Sequence, residues 1–76
     1  MKEFLEYIAK ALVDDPDAVD IVEEIHDERL VLKLKVAKPD MGKIIGKKGR
    51  TAFALRTLVS AAGKKAGRTV TIEILE

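Results

Sequence analysis

A chain of 76 residues without cysteine makes one domain and excludes disulfides and thiolate metal sites. A domain this short buries only about 60% of its unfolded surface, which leaves a partner subunit open as a stabiliser. The net charge of +1 hides a division, because residues 1–32 carry three Lys/Arg against ten Asp/Glu, a net of −7, and residues 33–68 carry eleven against one, a net of +10.

Residues 3–13 predict an amphipathic helix. Phe4, Leu5, Ile8, Ala9, Leu12 and Val13 share one face at helical spacing, with Glu3, Glu6 and Lys10 opposite. Asp14-Asp15-Pro16-Asp17 ends it, since proline disfavours a helical residue before it and acids oppose the dipole at a helix C-terminus. The stripe Phe4, Leu5, Ile8, Leu12 is expected to be core.

Residues 19–36 alternate with the period of a strand and predict a β-hairpin. Val19, Ile21, Glu23 and Ile25 share one phase; Leu30, Leu32, Leu34 and Val36 form a cleaner one, with Val31, Lys33 and Lys35 opposite. His26-Asp27-Glu28-Arg29 is the turn between them. Ala37-Lys38-Pro39-Asp40 is a loop, and Asp40 is a candidate N-cap for a short helix from Met41 to Ile45.

Gly46-Lys47-Lys48-Gly49 interrupts the helical pattern, which resumes from Arg50 to Lys65. Ala52, Leu55, Leu58, Val59 and Ala62 give this helix an apolar face, Lys64 and Lys65 suit its C-terminus, and Gly63 and Gly67 are stop signals. Thr69 to Leu75 alternates as a last strand, with Val70, Ile72 and Ile74 inward. The order α-β-β-α-α-β predicts an α+β domain, a three-stranded sheet with helices packed on one face.

The glycine-flanked loop carries the chemistry. Its glycines permit positive φ and close approach of another molecule. The helix behind it offers unpaired N–H groups and a positive dipole end near Gly49, Arg50 and Thr51. The side chains from Lys43 to Arg50 are only Lys, Arg and Ile. With the acidic–basic division of the chain, this points to a phosphodiester ligand. Alternatives fit less well. A nucleotide-binding phosphate loop needs four residues between its glycines and a hydroxyl after its lysine, whereas Gly42 and Gly46 have three residues between them and Lys48 stands where the hydroxyl belongs. A helix-turn-helix also joins two helices by a short turn, but here the first helix has only about five residues and a sheet occupies half the chain. His26 is the only histidine and sits in a turn, so no catalytic residue is expected; the acids at 14–20 lack EF-hand spacing, so no metal and no cofactor is expected either.

Ile45-Gly46-Lys47-Lys48-Gly49, followed by apolar Ala52 and Leu55, resembles the signature of the KH domain. In that family the GXXG loop clamps about four nucleotides of single strand. The resemblance covers the whole chain as a single domain, 1–76. Its β-α-α-β core would be residues 30–75, and the helix and strand of residues 3–25 placed before it mark the type II arrangement. The chain resembles the small bacterial KhpA-type (YlqC-like) RNA-binding proteins. What this implies is a non-catalytic binder of single-stranded RNA, acting as an RNA chaperone or post-transcriptional regulator of cell division, cell wall and cell shape. Carried over, the RNA site is Gly46, Lys47, Lys48 and Gly49 with Lys43 and Arg50 beside them. Ile45, Ala52 and Leu55 would floor the groove, and Leu34 to Val36 with Lys38 would form the opposite wall. Ala52 is smaller than the isoleucine often found there. The resemblance also implies a homodimer, and a heterodimer with a larger KH protein of the Jag/EloR kind, in which a protein-interaction role could outweigh RNA binding. No apolar run approaches the roughly 20 residues that span a bilayer, and Met1-Lys2-Glu3 opens no apolar leader. A cytoplasmic protein with no membrane partner is expected.

Overall fold

The computed structural model describes residues 1–75, and they follow the expected order. Helix α1 (Lys2–Leu12) leads to strand β1 (Asp20–His26) and strand β2 (Arg29–Lys35). Helix α2 (Met41–Ile45), helix α3 (Arg50–Lys65) and strand β3 (Thr69–Leu75) complete the chain. Single 3-10 turns at Pro16–Ala18, Lys38–Asp40 and Lys47–Gly49 join them.

The sheet order is β1-β2-β3, with β1 antiparallel and β3 parallel to β2. Antiparallel neighbours need only a tight turn, here Asp27-Glu28 between His26 and Arg29, with Asp27 in positive φ. Parallel neighbours need a crossover, and α2, the basic loop and α3 together supply it. The register sets Leu30 beside Val70, Leu32 beside Ile72 and Leu34 beside Ile74. Those strand residues and Ile21 meet Leu5, Ala9 and Val13 of the first helical segment, Ile44 of α2, and Leu55 and Val59 of α3 in one core.

The helical layer does not reach all of β1. Ile21 is buried, but Ile25 on the same face is exposed, because β1 is an edge strand and its far end lies beyond the helices. Two amphipathic faces are also rotated from expectation. Leu5 and Ala9 are buried in α1, while Phe4 and Leu12 remain partly exposed. In α3 the buried line is Ala52, Leu55, Val59 and Gly63, which leaves Leu58 outside. Gly63 does not stop α3. It lies inside the helix where a Cβ would come within 2.5 Å of Val70 Cγ2, so its role is close packing of α3 on β3. The stop is Gly67: its N–H donates to Lys64 O and the Arg68 N–H donates to Gly63 O, the paired bonds of a Schellman cap.

Candidate nucleic-acid interface

The basic loop is built by three backbone conformations that ordinary residues avoid. Gly46 has φ 76° and ψ 172°, Lys48 has φ 57° and ψ 25°, and Gly49 has φ 74° and ψ 13°. Gly46 ends α2 by donating its N–H to Gly42 O at 2.8 Å, and the Gly49 N–H donates back to Gly46 O at 3.1 Å. A Cβ on Gly46 would sit 2.2 Å from Thr51 Oγ1 and 2.8 Å from Thr51 N, so the loop folds tightly against the first turn of α3. No side chain caps that helix end, and the Arg50 N–H donates to Lys47 O within the loop. Lys48 is a non-glycine residue in the left-handed region, a conformation that costs about 1–2 kcal/mol. Such strain at a loop tip is a mark of functional sites.

The loop presents its charges outward. Lys47, Lys48, Arg50 and Lys38 are all exposed, and among the described residues none of them takes part in a salt bridge. Ile45 is 39% exposed on the last turn of α2, beside the loop. Ala52 and Leu55 are buried and offer a ligand almost no surface. On the opposite side, Leu34 and Val36 are likewise core residues. Leu34 lies in the central strand β2, paired on both edges through Lys35, and Val36 follows it; the exposed side chains of this stretch are Lys35 and Lys38, with Ala37 half-buried between them.

Lys43 is placed differently from the other cations. Its Nζ lies 2.5 Å from Asp14 Oδ2 and 3.5 Å from Asp40 Oδ1. Asp40 makes no side-chain cap on α2, contrary to expectation. It is only 2% exposed, and its Oδ2 accepts the N–H of Asp15 at 3.1 Å. Burial pushes the Asp40 carboxyl up, but the N–H groups of Asp15 and Asp14 and the Lys43 ammonium outweigh burial and hold it below the usual carboxylate value. Asp14 in turn holds the Lys43 ammonium above its ordinary value, with Asp40 adding to the effect. The sequence carried a signal for this cluster: Asp40 is the only acid among residues 33–68. Lys33, expected as an outward cation, is also engaged, 3.0 Å from Glu24 across the hairpin.

Another exposed feature lies on the outer flank of α3. Phe53 is 70% exposed and Leu58 is 51% exposed. Phe53, Arg56, Thr57, Ser60, Ala61 and Lys64 line a shallow depression of about 430 Å³. Among the described residues, no group of three or more His, Asp or Glu side chains is arranged to hold a metal ion. No helix among them is long and apolar enough to cross a membrane.

A β-α-α-β core with a helix and strand before it, and a GXXG loop where its two helices meet, is a type II KH domain. The profile of the KhpA/KhpB KH-domain family matches residues 2–74, and the chain belongs to that family, a non-enzymatic one. It is 55% identical over 76 residues to the RNA-binding protein KhpA of Caldanaerobacter subterraneus subsp. tengcongensis, covering 99% of this chain and 100% of that one. It is 51% identical over 75 residues to the RNA-binding protein KhpA of Clostridium acetobutylicum, covering 99% of this chain and all of the relative. The KhpA of Listeria monocytogenes is 49% identical over 76 residues, covering each chain in full. Among solved structures, a variant of Aquifex aeolicus Era bound to GDP·AlF4− shares the fold with TM-score 0.62 at 21% identity; the match covers 96% of this chain and 28% of that one.

Proposed function

We propose that this chain binds single-stranded RNA without catalysis, gripping the phosphate backbone with Gly46 to Gly49. The observation that carries the reading is the pair Lys47 and Lys48: exposed, unpaired among the described residues, and held by strained backbone against an uncapped helix end. Arg50 and Lys38 extend the positive surface, and Ile45 offers an aliphatic side chain for a base to lie against. Ala52 and Leu55 support the loop from the core. Relatives spanning the same length are named RNA-binding proteins, which supports the same ligand. A loop that grips backbone reads little sequence, and that suits an RNA chaperone or a post-transcriptional regulator in the cytoplasm. A role in cell division, wall synthesis and cell shape rests on family resemblance alone. The test is Lys47→Asp with Lys48→Asp. Circular dichroism should stay unchanged while binding to single-stranded RNA is lost; undiminished affinity overturns the reading.

A second reading is favoured by the α3 flank. An exposed phenylalanine that lines a shallow depression with Ala61 suits a subunit contact, either with a second copy or with a larger KH protein of the Jag/EloR kind. Two linked KH modules would bind RNA more tightly than one without any new contact to it. Sedimentation of the wild type and of Phe53→Glu distinguishes the cases. A dimer lost in the variant supports the contact; an unchanged mass in both sets it aside.

A further inference from the structure

We infer that Lys43 serves the RNA site by position and not by contact, as the bolt of a clamp that ties α2 to the loop after α1. The inference rests on the RNA-binding reading above and concerns one residue of that site. Helix α2 has five residues, far fewer than a helix needs to hold itself in water. Its place is therefore set by what grips it. On one side Ile44 is buried in the core. On another, Asp40 and Lys43 bind the segment that follows α1: Asp40 through the Asp15 N–H, and Lys43 through the Asp14 carboxylate.

The cluster is closed upon itself. Asp40 is a buried carboxylate and must keep its partners, since a buried charge left unpaired is costly. Lys43 bridges it to Asp14, whose side chain is 81% exposed. One ammonium faces two carboxylates, so the trio carries no surplus positive charge for a phosphate. Lys47 and Lys48, one loop further on, have no such partners among the described residues. Loss of the bolt leaves Asp14 and Asp40 facing each other without a cation. The start of α2 then loosens, and Gly46 moves with it.

Salt dependence separates position from contact. A labelled oligo(U) single strand is titrated at several KCl concentrations with the wild type, Lys43→Gln, Lys43→Arg and Lys47→Gln. A phosphate contact contributes about 0.7 to the slope of log affinity against log salt for single strands. Lys47→Gln should lower the slope by about that amount. Lys43→Gln should weaken binding roughly three- to tenfold with the slope unchanged, and Lys43→Arg, which keeps both ion pairs, should restore affinity. A slope loss in Lys43→Gln equal to that of Lys47→Gln overturns the inference. A wild type that binds no RNA, or a slope indifferent to Lys47, counts against the RNA reading instead. Amide exchange then decides the clamp without RNA. In Lys43→Gln, the amides of Asp15 and of Gly46 to Gly49 should exchange faster while Leu32 and Ile72 keep their protection; unchanged exchange at Asp15 and the loop overturns the clamp.

Discussion

Gly46 and Thr51 are packed so closely that a methyl group on the first would come within 2.2 Å of the hydroxyl of the second. Gly49, the other glycine of the loop, also has positive φ but faces open space. The two positions therefore differ in kind. Gly46→Ala meets both conformational strain and backbone collision and should destabilise the domain by on the order of 3 kcal/mol. Gly49→Ala meets strain alone and should cost about 1 kcal/mol. Urea denaturation of the two variants checks the ranking, and equal midpoints would show that the Thr51 contact gives way.

Lys48 joins charge to strain at one residue. Lys48→Gly removes the ammonium and relieves the left-handed backbone together. RNA affinity should fall and its salt dependence should flatten, while the melting temperature stays level or rises by a few degrees. A melting temperature that drops with affinity would assign Lys48 a structural role.

Asp40 makes the fold sensitive to acid. Its folded pKa lies below the ordinary value of 3.8, so its contribution to stability is present above that value and disappears as pH falls through the lower folded one. The Lys43 pKa is raised above 10.5, so its contribution is complete below that value and disappears as pH rises through the raised one. Stability measured in urea should decline below about pH 4 in the wild type. In Asp40→Asn that decline should be shallower, and the plateau near neutral pH should be lower. An Asn variant with the wild-type acid profile would remove Asp40 from the account.

Gly63 reverses a familiar expectation. Alanine is favoured over glycine within a helix by about 1 kcal/mol, so Gly63→Ala should stabilise α3 by propensity alone. The contact with Val70 Cγ2 and Arg68 O argues otherwise, and a net loss of roughly 1–2 kcal/mol is expected as α3 is pushed from β3. Val70→Ala in the same background should recover part of the loss. A gain in stability from Gly63→Ala alone would show that Val70 simply turns aside.

The elements and the loop were readable because their signals are local. Proline after Asp15, the glycines at 46 and 49 and the alternation of residues 69–75 act within a few residues. The bounds expected for α2, α3 and β3 coincide with those observed. What was not readable depends on the third dimension. Which half of an apolar stripe faces inward follows from how far the sheet extends, and so Phe4, Leu12 and Leu58 lie nearer the surface than helical spacing alone predicts. Asp40 has the identity and position of an N-cap, but a partner 25 residues away takes its oxygen. Lys43 looks like any other cation of a basic loop until Asp14 is brought beside it.

The parallel pairing of β2 with β3 has a kinetic consequence. Leu30 and Val70 are neighbours in space but some forty residues apart in the chain, whereas Ile25 meets Leu30 across a two-residue turn. The hairpin can close in microseconds, while β3 must wait for the intervening helices to gather and the long loop to be closed. The stretch bearing Gly46 to Gly49 is that loop. Substitutions in β3 should therefore speed unfolding more than they slow folding, and the glycine-flanked loop should acquire its shape only as the last strand docks.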